Sequence, residues 1–66
     1  MTKVLKGWIV CQRQAGGQVH LNVARIDYFE ALPTNPASTA VYYGVEKVVV
    51  EVNPIDFARQ LVEATY

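Results

Sequence analysis

Chemically reactive side chains are scarce in this sequence of 66 residues, which holds one cysteine, one histidine and one tryptophan. A lone cysteine forms no intrachain disulfide. Cys11 sits in the apolar run Trp8-Ile9-Val10-Cys11, where a small buried hydrophobe is expected. No base or basic cluster stands beside it in sequence to activate a thiolate. Cys11 and His20 are the only soft ligands, too few for a structural metal set, and no motif calls for a cofactor. Charge is also sparse. Charged residues make up 18% of the chain, and six basic residues cancel six acidic ones, so no overall field steers it toward DNA or an anionic membrane. No apolar run approaches the roughly 18 residues of a membrane span, and the opening residues lack a signal-peptide core. With the single thiol, this gives a cytoplasmic protein as the expectation.

Apolar residues, at 52%, are what the chain has in quantity, and that balance excludes disorder. One small domain over residues 1–66 is the most this length supports. A domain of this size buries only about 60% of the surface its unfolded chain exposes, and small folds commonly add a disulfide, a metal or a partner chain. With the first two absent, oligomerisation is the remaining staple.

The pattern predicts an α+β domain, mainly β: a bent antiparallel sheet of about five strands in two hairpins, closed by one C-terminal helix. The first apolar stretch covers residues 4–11 and is weakened or bent at Gly7. Gln12-Arg13-Gln14-Ala15-Gly16-Gly17 reads as a turn, and residues 18–22 return with Val19 and Leu21 inward and Gln18, His20 and Asn22 outward. Residues 23–25 read as a tight turn into a strand from about Ile26, with a short helix as the alternative. Pro33-Thr34-Asn35-Pro36-Ala37-Ser38 reads as a loop. The second hairpin pairs residues 39–43 with 47–52 around Gly44-Val45-Glu46, both arms rich in β-branched and aromatic residues.

The helix start is the best specified point. Asn53 suits the cap, Pro54 the first helical position and Asp56 the third, and Val52 and Phe57 are spaced as a hydrophobic staple. Ile55, Ala58, Leu61 and Val62, widened by Phe57 and Ala64, are expected to form the buried stripe. Asp56, Arg59, Gln60 and Glu63 are expected outward.

One helix covers one face of a sheet, yet these strands carry apolar residues on both. With Val48, Val50 and Val52 turned to the helix, Val49 points away. Tyr42 likewise opposes Val41 and Tyr43, and Trp8 and Val10 oppose Ile9 and Cys11. Burial of each large apolar side chain is worth about 1.5–3 kcal/mol. A homo-oligomer with Trp8, Val10, Tyr42 and Val49 at its interface follows, unless the sheet curls into a barrel that covers both faces itself.

From Val19 onward the sequence resembles the FlbD-like family of small β-rich proteins associated with bacterial flagellar regulation. The resemblance rests on Val19-His20-Leu21-Asn22, on Ile26 and Phe29-Glu30, on residues 41–44 and on Lys47-Val48-Val49-Val50-Glu51. Residues 33–38 are an insertion relative to that pattern, and Gly44 stands where an Asn-Gly type of turn is usual. A second resemblance, to the DNA-binding LytTR domain, rests on Ile26-Asp27-Tyr28-Phe29-Glu30-Ala31. The first implies a regulator, and neither implies an enzyme.

Catalysis finds little support in the residues. Hydrolytic chemistry needs a nucleophile and a base close together, and Cys11 and His20 point to opposite faces of the first hairpin. Gly16-Gly17 precedes a strand, where a phosphate cradle would precede a helix. DNA binding is the third choice, since Lys3 and Lys6 are the only close basic pair. The first expectation is a non-enzymatic oligomeric binding or regulatory module with a protein partner. The alternative is a phage-type sponge holding a small anionic ligand, such as a nucleotide signal, between subunits. Arg13, His20 and Arg25 would hold its anionic group, with Tyr42 and Tyr43 as stacking surfaces.

Overall fold

The computed structural model describes residues 3–65, with side chains from residue 6 onward. Six strands, a short 3-10 helix and an α-helix follow one another. They are β1 (Lys3–Leu5), β2 (Trp8–Gln12), β3 (Gln18–Asn22), the 3-10 helix Val23–Arg25, β4 (Ile26–Leu32), β5 (Asn35–Tyr43), β6 (Glu46–Val50) and α1 (Pro54–Thr65). The expected class holds: α+β, mainly β, with antiparallel strands and one C-terminal helix. The strands form two three-stranded sheets, ordered β1-β2-β3 and β4-β5-β6. The first apolar stretch is divided at Lys6-Gly7, where Gly7 takes a φ of 82°, a region L side chains rarely enter.

The two sheets are spliced through the backbone. Arg13 bridges Val50, Gln14 N–H donates to the Val49 carbonyl at 3.0 Å, and Glu51 N–H donates to the Gln12 carbonyl at 2.9 Å. This splice brings Ile9 and Cys11 of β2, Val19 and Leu21 of β3, Val41 of β5 and Val50 of β6 into one cluster with Val52, Phe57 and Ala64. Phe57 is fully buried and meets the Phe29 ring edge-on, with centroids 5.0 Å apart.

The first hairpin has the expected register. Cys11 pairs with Val19 and is buried, whereas His20 pairs with Val10 and is exposed. Residues 23–25 combine the two alternatives, a single 3-10 turn capped by the Asn22 side chain and leading straight into β4. Residues 33–38 depart from the expected loop. Only Pro33-Thr34 turns the chain, so β4 and β5 form a third hairpin, and β5 begins at Asn35. Pro36, Ala37 and Ser38 occupy the irregular stretch between the register pairs Leu32↔Asn35 and Ala31↔Thr39. A proline is tolerated there because no ladder bond is asked of it. Thr39 is fully buried, and its hydroxyl donates to the Val52 carbonyl, fastening β5 to the helix approach.

The helix begins as expected. The Asn53 side chain accepts from Asp56 N–H at 2.8 Å and donates to its carboxylate at 2.9 Å, and Val52 and Phe57 both enter the core. The buried stripe is different. Phe57, Leu61 and Ala64 face the sheets, with Gln60 half-buried between them, while Ile55 is 83% exposed and Val62 56%. Two stripes at helical spacing compete here. The larger Phe57 ring takes the core and rotates Ile55 and Val62, seven residues apart, into solvent.

Removing the cap tests this account. Asn53→Ala is expected to lower stability by about 1 kcal/mol in urea unfolding, because two backbone-proximal bonds at the helix start are lost together. Thr39→Val is expected to lower it by about 1–3 kcal/mol, because the Val52 carbonyl loses its buried donor.

Candidate functional site

The solvent face of the second sheet follows from strand alternation. In β4, β5 and β6, Phe29, Val41, Val48 and Val50 turn to the core, so Tyr28, Glu30, Tyr42, Lys47 and Val49 turn outward. The register places Tyr28, Tyr42 and Lys47 in one cross-strand row, and Glu30, Ala40 and Val49 in the next. Tyr28 and Tyr42 stack with centroids 4.3 Å apart at 16°, and the Lys47 ammonium lies 5.9 Å from the Tyr42 centroid on that row. The Tyr42 hydroxyl donates to the Glu30 carboxylate at 2.9 Å. Stacked and cation–π contacts of this kind are each worth about 0.5–1.5 kcal/mol.

The residues expected to hold a ligand are distributed over three places. Tyr42 lies in this row, with Tyr28 and Lys47 as its ring partners, so the open aromatic surface is that of Tyr28, which is 56% exposed. Tyr43 turns inward against the core, and its hydroxyl accepts from Asn22 N–H at 3.1 Å, while the Arg25 guanidinium sits 5.4 Å from its ring. That pair secures the 3-10 turn to β5. His20 is exposed on β3 of the other sheet. Arg13 is exposed at the β2–β3 turn and lines an open cavity of about 540 Å³ with Gln14, Glu46, Lys47, Val48 and Val49. Arg13 and Lys47 are therefore the cations that share one concave surface, and Lys47 escaped the sequence reading. Its signal was the alternation of β6, which puts position 47 on the same face as Val49.

Of the expected interface residues, Trp8 is 43% exposed, and Tyr42 and Val49 are half-buried on the solvent face. Val10 is a correction. It is only 6% exposed, because β2 is the central strand of its sheet and Val10 is flanked by Lys3 on one side and His20 on the other. It offers almost no surface to a partner. Cys11 and His20 do not meet, and no group of three or more His, Cys, Asp or Glu side chains gathers among the described residues. No helix among these residues is long and apolar enough to cross a membrane.

Comparisons with protein-family models, with curated proteins and with solved structures find no match to this chain.

The Tyr42 pKa is raised, first by its hydrogen bond to the Glu30 carboxylate, then by desolvation, and then by the charges of Glu30 and Tyr28. A raised phenol pKa means the folded state holds its proton more tightly than the unfolded one. The stabilisation is fully present below the ordinary tyrosine value of 10.0 and is lost as pH rises through the folded value. Tyrosinate absorbance is expected to show Tyr42 ionising at higher pH in the wild type than in Glu30→Ala. Identical titration curves for the two proteins would overturn the role of the Glu30 hydrogen bond.

Proposed function

We propose that the protein is a non-enzymatic binding module that works as a homo-oligomer. The observation that carries this reading is the set of large apolar side chains left in solvent: Trp8, Tyr28, Val45, Ile55 and Val62. Total exposed area does not set the chain apart. Its 4302 Å² is close to the roughly 4,200 Å² that a compact chain of this mass presents. What distinguishes the surface is which side chains make it up: five large apolar residues, from β2, β4, the β5–β6 turn and the helix, stand in solvent. The regulatory part of the reading rests on the FlbD-like resemblance alone.

A second reading has its own support. The cavity beside β6 falls in the size range of small-molecule sites, and Arg13 and Lys47 on its wall suit a phosphate or carboxylate. Of the residues expected to hold such a ligand, Arg13 lines this cavity and Tyr42 lies beside its Lys47, whereas His20, Arg25 and Tyr43 lie elsewhere.

Light scattering coupled to size exclusion is expected to give a mass that is a multiple of 7.4 kDa at micromolar concentration. A monomer there overturns the oligomeric reading. Mass spectrometry of material released on denaturing the purified protein tests the second: a retained nucleotide or other small anion supports it, and nothing released overturns it.

A further inference from the structure

We propose that the cavity beside β6 takes a single amino-acid unit, that is, a carboxylate with an N–H on the adjacent carbon. The proposal rests on the reading of this cavity as a small-anion site and names the chemistry of the ligand.

The width of the open edge sets the size of that unit. Tyr43 and Glu46 close the two-residue turn at Gly44-Val45, so Glu46, Val48 and Val50 exchange backbone bonds with β5. Lys47 and Val49 direct their N–H and C=O groups the other way, toward the β2–β3 turn. The place opposite Val49 is filled, because its carbonyl accepts from Gln14 N–H at 3.0 Å. On the other side of Lys47, the backbone of Glu46 is bonded to β5 and Val45 lies in the turn. No backbone bond joins Lys47 to β2 or its turn. The open edge is therefore one residue wide, and the cavity lies against it, between Arg13-Gln14-Ala15 and residues 46–49. A partner strand does not fit so short an edge. A molecule the size of one residue does.

The groups around that edge choose the chemistry. In an extended residue the N–H and C=O point the same way, so Lys47 offers a donor beside an acceptor. A bare carboxylate satisfies the N–H and sets a negative oxygen next to the Lys47 carbonyl. A carboxylate with an adjacent N–H satisfies both, as one residue of a paired strand does. Charge points the same way. The walls carry two cations, Arg13 and Lys47, and one acid, Glu46, which leaves one net positive charge. That balance suits a singly charged carboxylate, whereas the second charge of a phosphate monoester meets Glu46. The planar fork of Arg13 matches both carboxylate oxygens. Val49, half-buried on the same wall, gives an apolar place for the ligand's side chain, and the volume of about 540 Å³ leaves room for it.

The test follows the Lys47 backbone amide by heteronuclear NMR of the full chain. The probes are N-acetylalanine, alanine, acetate, N-acetylalaninamide and inorganic phosphate. Saturable movement with N-acetylalanine or alanine supports the proposal, and the stronger of the two tells an acylated from a free amino acid. Acetate lacks the N–H and N-acetylalaninamide lacks the carboxylate, so each is expected to bind at least roughly fivefold more weakly. Arg13→Gln, an exposed position checked for folding by circular dichroism, is expected to weaken binding roughly tenfold. Either control binding as tightly as both amino-acid probes overturns the proposal. Phosphate moving the Lys47 amide while neither alanine compound does overturns it and leaves the small-anion site standing. No response to any probe overturns both.

Discussion

Two backbone hydrogen bonds between the end of β2 and the end of β6 decide what this chain is. Each three-stranded sheet alone has one apolar face and too little mass to hide it. Bonding Gln14 N–H to the Val49 carbonyl and Glu51 N–H to the Gln12 carbonyl, with Arg13 opposite Val50, turns the two apolar faces toward each other. Phe57 then fills the space between them from the helix. The splice also consumes the edge groups of β6 at Val49 and Glu51 and leaves those at Lys47 open, so the same contacts that close the core define the concave surface beside it.

The consequence for the solvent face is a division of labour along one strand. On β5, Thr39 and Val41 are interior and Tyr42 is exterior, while Tyr43 turns inward again next to the bulge opposite Asp27. Adjacent tyrosines therefore have unrelated tasks. Tyr43 anchors the 3-10 turn through Asn22 and Arg25, and Tyr42 organises Tyr28, Glu30 and Lys47 into one surface row.

Much of the fold was legible because its signals are local. Alternation in residues 18–22, the Gly44 turn and the Asn53-Pro54-Asp56 start each depend on a few neighbours, and each is where the sequence put it. The errors came where tertiary packing chose between locally equal options. Ile55–Val62 and Phe57–Leu61–Ala64 are both helical stripes, and only the shape of the space between the sheets selects the second. Residues 35–38 look like a loop because proline and serine are polar-turn residues, yet the buried Thr39 hydroxyl and the β4 edge draw them into an extended strand. The candidate site was legible only in part. Residue types suited to a ligand could be named, but whether Arg13 meets Arg25 or Lys47 depends on the splice, which joins positions nearly forty residues apart and leaves no mark on either segment.

Gly7 deserves a last look for its position between distant parts of the chain. Its N–H donates to the Ala64 carbonyl at 2.8 Å, and its own carbonyl accepts from Val23 N–H at 3.0 Å. One residue thus clasps the last turn of the helix, the β1–β2 corner and the 3-10 turn. Two backbone hydrogen bonds at a glycine thus hold three segments together on their own, apart from the buried side chains around Phe57.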